Sequence, residues 1–139
     1  MQLPYHYHAK DDWPSTVDNN TPGFFCRADQ QTPNKFSLHS YGVAIDINPR
    51  YNPALVTPKH AGDPLRIQPK SGTHYYYHHK GQRGMIEPDD AVIRIFAQHG
   101  WKWGSYWQPP DTNYMHFQKD MDSHYQAHSL ERAPKDNTQ

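Results

Sequence analysis

The chain has 139 residues, 35% of them hydrophobic and 14% aromatic, and its 14 Lys and Arg balance 14 Asp and Glu. That length fits one domain able to bury its own core, and an even charge without a basic stripe excludes an electrostatic surface for nucleic acid. One cysteine, Cys26, excludes an intrachain disulfide and a cysteine-based zinc knuckle. Residues 1–6 lack an apolar h-region, and no run approaches the ~18 apolar residues of a membrane span. The expectation is a monomer made in the cytosol without a signal peptide and without membrane insertion. Thirteen prolines and eight glycines predict many loops, few long helices and a core leaning on Tyr, Trp and Phe.

In chain order, residues 1–23 are polar and turn-rich, and read as irregular structure anchored by Tyr5, Tyr7 and Trp13. Phe24-Phe25-Cys26-Arg27 reads as a short strand delivering Arg27. Arg27 is either a cation at a site or half of a surface ion pair, and the residues alone favour the ion pair. Val43, Ile45 and Ile47 alternate with Ala44 and Asp46, the period of a strand. Ala44 and Asp46 then share the face away from the Val/Ile side, where an inward Asp needs a partner or a metal. Residues 57–86 read as loop-rich, with the run His74-Tyr75-Tyr76-Tyr77-His78-His79 as a hairpin edge rather than a ligand set.

The spacing predicts a helix over 88–99, opened by Pro88 and the acids Glu87, Asp89 and Asp90, buried through Val92, Ile95, Phe96 and His99, and closed by Gly100. Trp101-Lys102-Trp103-Gly104-Ser105-Tyr106-Trp107 is either core packing or the wall of a cleft. Tyr114-Met115-His116-Phe117-Gln118 reads as a closing strand with His116 and Phe117 on opposite faces. Residues 119–139 read as a polar tail, in which His124 and His128 sit on a solvated face.

His39, Asp46 and His116 form the candidate metal set. Two imidazoles and one carboxylate suit a catalytic zinc ion, which takes three protein ligands and keeps one position open. Such an ion lowers the pKa of its water towards ~7 and polarises a carbonyl under attack. A His-x6-Asp spacing alone is weak, and the surrounding residues carry more.

Ser37-x-His39-x-x-Gly42-x-Ala44-x-Asp46 resembles the first motif of the LAS zinc peptidases, the lysostaphin-type, D-Ala-D-Ala carboxypeptidase and hedgehog-like enzymes, and here their M15 branch. Asn19-Asn20-Thr21, Phe25-Cys26-Arg27, Asn48-Pro49, Asn52-Pro53, Gly84-Met85-Ile86, Gly100-Trp101-x-Trp103-Gly104 and Tyr114-Met115-His116-Phe117 resemble the subgroup that includes endolysin-like L-alanyl-D-glutamate peptidases.

The resemblance implies an α+β fold, a small antiparallel sheet with a few helices and zinc in a cleft on the sheet. It implies one zinc ion on His39, Asp46 and His116, and the peptidoglycan stem peptide as substrate. The leading activity is that of an L-Ala–D-Glu endopeptidase. The alternatives are a D-Ala-D-Ala carboxypeptidase or dipeptidase and a non-catalytic, zinc-containing wall-binding domain. Arg27 falls where the family binds the substrate carbonyl, Ser37 would support the ligand loop, and Trp103 and Trp107 would border the cleft. The implied layout is an N-terminal segment over 1–18, the peptidase domain over 19–118 and the tail over 119–139. The enzyme would reach the wall through a holin-like or other route.

Two departures stand. Only a short polar segment precedes Asn19, where the family has a longer part with a helix. Asn113 occupies the position, three before His116, where the family has an acidic general base. An amide hydrogen-bonds water but takes no proton from it. Three readings follow: Asn113 inactivates an enzyme, Asp111 substitutes through a shifted loop, or the domain binds without cutting.

Overall fold

The computed structural model describes residues 11–121, except 25, 30, 31, 33, 59, 78, 79 and 107–111. The readings placed on Tyr5, Tyr7, Phe25, His78, His79, Trp107, Asp111, His124 and His128 lie outside the described residues.

The fold is a small α+β arrangement. Among the described residues, three short α-helices, α1 (Asp12–Val17), α2 (Thr73–Tyr77) and α3 (Ala91–Gln98), accompany five strands, β1 (Ala44–Asp46), β2 (Ala54–Val56), β3 (Arg66–Gln68), β4 (Trp101–Trp103) and β5 (His116–Lys119). β5 is the centre of an antiparallel three-stranded sheet, with β1 on one side and β4 on the other, while β2 and β3 pair antiparallel as a second sheet.

The register explains how the sheet divides its work. Asp46 lies opposite His116, Ile45 opposite Phe117 and Ala44 opposite Gln118, while Trp103 lies opposite Phe117 and Lys102 opposite Gln118. Paired residues point to one face and neighbours along a strand to opposite faces. One face therefore carries Ile45, Phe117, Trp101 and Trp103, and the other carries Ala44, Asp46, His116, Gln118 and Lys102. The first face is the core. Phe117, Trp103, Ile86 and Ile93 are buried together, with Ile45, Ile47, Val92, Phe96, Trp101 and Tyr114 packed around them. The Phe96 and Phe117 rings lie 4.4 Å apart and Trp103 stacks on Phe117 at 6.4 Å, so the aromatic core expected from composition is present.

Several elements differ from the sequence expectation. Residues 12–17, expected to be irregular, form α1. Asp11 is its N-cap, Asp12 sits at its positive end, and Pro14 falls within the first turn, where a missing N–H costs nothing. Asn19 at φ 65 ends it. Residues 24, 26 and 27 form no strand, and Phe24 is exposed. The tyrosine run expected as a hairpin edge is α2, where Tyr75 packs on Tyr51 at 4.8 Å and Tyr76 faces Tyr114 at 6.3 Å. Tertiary packing overrides the strand preference of consecutive tyrosines here.

α3 begins at Ala91 rather than Pro88, because Asp89 adopts φ 72 and Asp90 is the N-cap. Ile93 is buried on its inner face, whereas Ile95 is 54% exposed and His99 is the exposed C-cap, so the apolar stripe is turned from the expected one. Gly100 at φ 79 follows His99 as the expected left-handed stop. Residues 114 and 115 bend before β5, which starts at His116 rather than Tyr114.

The scattered asparagine motifs meet in one polar knot behind β1. Asn52 is fully buried. Its Nδ2 donates to Ile47 O at 3.0 Å, Asn48 O at 3.3 Å and Gly84 O at 2.9 Å, and its Oδ1 accepts from Ile86 N–H at 2.7 Å. Asn19 Oδ1 accepts from Arg50 N–H at 2.9 Å, and Thr21 Oγ1 accepts from Asn48 N–H at 3.2 Å. Both polar atoms of the Asn52 side chain are thereby used, and the chain leaving Asp46 is pinned to residues 84–86.

Candidate metal centre

Three segments deliver the candidate ligands. His39 lies in a 3-10 turn over Leu38–Tyr41, capped by Ser37, whose Oγ accepts from His39 N–H at 3.4 Å. Gly42 at φ 69 ends the turn, and the left-handed conformation there favours glycine. Val43 N–H then donates back to Leu38 O at 3.3 Å, and the chain enters β1, which presents Asp46. β5 presents His116 directly across from it.

The three side chains offer ligand atoms that all lie within 4.8 Å of one another. His116 Nδ1 is 2.8 Å from Asp46 Oδ1, His39 Nε2 is 3.3 Å from Asp46 Oδ2, and the two imidazole rings are 5.5 Å apart. His39 and His116 are buried.

The outer nitrogens decide what the inner ones can do. His39 Nδ1–H donates to Gly23 O at 2.8 Å, and His116 Nε2–H donates to Gln118 Oε1 at 3.0 Å. Both acceptors are carbonyl oxygens, so each outer nitrogen must carry the proton. In a neutral imidazole the inner nitrogen is then a bare lone pair, and both lone pairs face the Asp46 carboxylate. Three such electron-rich groups in contact require a cation, supplied either by extra protons or by a metal ion. This donor set fits a tetrahedral zinc ion with an open fourth position.

The titration tendencies agree. Burial opposes the Asp46 carboxylate, but hydrogen bonds from His116 and His39 and their charge hold it well below the usual carboxylate range. Burial opposes the His39 imidazolium, yet Asp46 and the Gly23 carbonyl bring its pKa above the ordinary value.

The remaining candidates are placed as follows. Arg27 Nε lies 3.2 Å from Asp12 Oδ2, and its Nη1 donates to Ala28 O at 3.2 Å. Its backbone N–H donates to Ser40 Oγ at 3.1 Å, and Ser40 Oγ donates to Arg27 O at 3.0 Å, which braces Arg27 against the turn holding His39. The ion pair that the sequence favoured for Arg27 is therefore present, but its partner Asp12 is buried rather than solvated. Burial raises the Asp12 pKa, Arg27 opposes that shift, and the charges of Asp46 and His39 both act on Asp12, so the pair lies within the electrostatic reach of the ligand set.

Asn113 forms an isolated bridge with Ala54, donates its N–H to Gly104 O at 3.2 Å and accepts from His116 N–H at 3.4 Å. Its side-chain Oδ1 is buried without a hydrogen-bond partner. The bend at 114 and 115 interrupts strand alternation between Asn113 and His116.

Trp103 does not border a cleft beside the ligands. Its register with Phe117 puts it on the core face, it is 2% exposed, and its Nε1–H donates to Tyr114 O at 2.8 Å. Trp107 and Asp111 lie outside the described residues. Sequence reasoning missed Asp12 and Gln118. Gln118 was readable, because two residues after His116 on a strand is the same face. Asp12 carried no signal, being fifteen positions from Arg27 in a segment expected to be irregular.

The family model described as D-alanyl-D-alanine carboxypeptidase, of peptidase family M15, matches residues 30–119. No curated protein and no solved structure matches the chain. The match covers well over half of the chain and includes all three candidate ligands, while Asp12 and Arg27 precede it. The chain belongs to the D-alanyl-D-alanine carboxypeptidase family of M15 peptidases.

Proposed function

We propose that the protein is a zinc-dependent peptidase that cleaves the stem peptide of bacterial peptidoglycan, with the L-Ala–D-Glu bond as its target. The observation that carries this reading is the His39–Asp46–His116 set, with both inner nitrogens turned into lone-pair donors by their outer hydrogen bonds. Family membership supports the substrate class. A bound zinc ion would activate a water molecule and polarise the scissile carbonyl.

The chain's own groups would do the rest. Asp46 supplies the one anionic ligand, and Ser37 holds the turn that orients His39. Arg27, steadied by Asp12, offers a fixed cation for the charge that develops on the carbonyl oxygen. The position of Asn113, next to the ligand strand, is where proton transfer from the attacking water to the leaving amine would be managed. An amide oxygen there would accept a hydrogen bond from that water but could not take its proton. The protein would reach its substrate in the wall by release through a membrane lesion or another route.

Two further readings each have an observation behind them. The amide at position 113 favours a wall-binding domain that retains the metal without cutting, and the description of the matching family favours removal of a terminal D-alanine. Mass spectrometry of muropeptides incubated with the zinc-loaded protein separates the three. Cleavage that leaves a single alanine on the muramic acid supports the endopeptidase. Loss of one terminal residue supports the carboxypeptidase and overturns the endopeptidase. Saturable binding to peptidoglycan without any new product supports the binder.

A further inference from the structure

Gln118 lies on β5 two residues after His116 and on the same face of the sheet. Its Oε1 accepts from His116 Nε2–H at 3.0 Å. The neighbours across the sheet leave this contact undisturbed. On β1 the opposing residue is Ala44, whose small buried side chain offers no competing donor, and on β4 it is Lys102, whose ammonium pairs with Asp120. The other imidazole is held in the same way by a main-chain carbonyl, Gly23 O. The two contacts differ in one respect: the Gly23 carbonyl is present whatever side chain stands there, whereas the acceptor for His116 depends on residue 118.

We propose that Gln118 is a positioning residue of the metal centre, which fixes His116 in the tautomer and ring orientation that direct Nδ1 at the ion. The inference rests on the reading of His39, Asp46 and His116 as a zinc site. Without an acceptor at 118, the His116 proton is free to reside on Nδ1, where Asp46 Oδ1 at 2.8 Å would accept it and occupy the ligand atom. A metal then has to displace that proton and reorient the ring. Outer hydrogen bonds of this kind are worth about 10–100-fold in metal affinity.

The test compares the parent protein with Gln118→Leu, Gln118→Ala and Gln118→Glu. Zinc affinity is read by competition with a chromophoric chelator, ligand geometry by the visible spectrum of the cobalt(II) form, and fold by the urea midpoint of the metal-free protein. Gln118→Leu and Gln118→Ala are expected to bind zinc about 10–100-fold more weakly and to shift the cobalt spectrum, at a near-parental urea midpoint. Gln118→Glu keeps an acceptor and is expected to restore both affinity and spectrum. Zinc affinity within about threefold of the parent in either apolar variant overturns the proposal, and so does failure of Gln118→Glu to recover what a folded apolar variant loses. Should both apolar variants unfold, the Gln118→Glu affinity and spectrum decide alone. A parent that binds no zinc, or a His39→Ala variant that keeps it, overturns the metal site itself and is thereby told apart from a failure at Gln118.

Discussion

Replacing Asn113 by aspartate tests the proposal that this position manages proton transfer. The exchange is isosteric, and the backbone is held independently of the side chain by Gly104 O at 3.2 Å, by His116 N–H at 3.4 Å and by the bridge to Ala54. Ligand geometry should therefore survive. The amide Oδ1 is buried and unpaired, so no existing side-chain hydrogen bond to that atom is lost. What changes is the ability to take a proton, together with one negative charge. General base catalysis is worth about 10²–10⁴ in rate, or roughly 3–5 kcal/mol of barrier. Zinc-loaded parent and Asn113→Asp are compared by initial rates of muropeptide cleavage, with metal content measured on the same samples. The expected gain is at least about tenfold, the lower edge set by imperfect alignment of a newly placed carboxylate. Equal rates in two samples that each hold one zinc ion per chain would refute the assignment of position 113 to proton transfer.

Asn52→Ala removes four hydrogen bonds from a fully buried knot, among them the one that Ile86 N–H donates, while Gly84 O keeps its bond from Asn48 Nδ2. The expected loss is on the order of 3 kcal/mol in urea unfolding with an unchanged m-value, and a loss below about 1 kcal/mol contradicts the knot's role. Gly104→Ala places a Cβ 2.7 Å from Asn113 O and 3.3 Å from His116 O, both backbone atoms that cannot yield alone. Stability should fall by about 1–3 kcal/mol, and zinc affinity should fall with it; chelator competition showing parental affinity would contradict that coupling. The metal-free protein should also lose stability between pH 5.5 and 8. The raised His39 pKa contributes stabilisation that is complete below the ordinary value near ~6.5 and disappears as pH rises through the folded-state value, whereas the depressed Asp46 contributes above the ordinary carboxylate range and fails only on acidification. Urea midpoints higher at pH 8 than at pH 5.5 without metal would reverse this sign.

The ligand set was legible from local pattern together with the resemblance of the residues around it. The alternation through Ala44 and Asp46 and the opposite facing of His116 and Phe117 follow from nearest-neighbour geometry, the resemblance carried by the surrounding residues joined them to His39, and the register that sets Asp46 against His116 was supplied by the structure. The aromatic core was legible from composition, but Trp103 was not assigned to it, since only the register with Phe117 decides which face of β4 it occupies. α1 was hidden because a six-residue helix has little propensity of its own and forms where packing holds it. The tyrosine run over 75–77 misled in the opposite direction, since its helical state depends on Tyr51 and Tyr114, which are distant in the chain.

The helix that the sequence hid bears on the charge of the site. Asp12 and Arg27 form a pair that sums to zero, and Asp46 leaves the ligand set with one negative charge. A zinc ion on that set gives the centre a net charge of about +1, with no acid at 113 to offset it. If stem peptides are the substrate, their carboxylates would be favoured by this balance, while an amide at 113 would slow their conversion. Charge restored at 113 would cancel the excess and act on the two properties in opposite directions, raising kcat and also raising KM. The same count shows why Asp12 matters although it precedes the family-matched stretch: without it, Arg27 would stand unneutralised beside the centre and compete electrostatically with the metal. If the set holds zinc, retention of α1 with its Asp12 would thus matter to the site's electrostatics and not only to the fold.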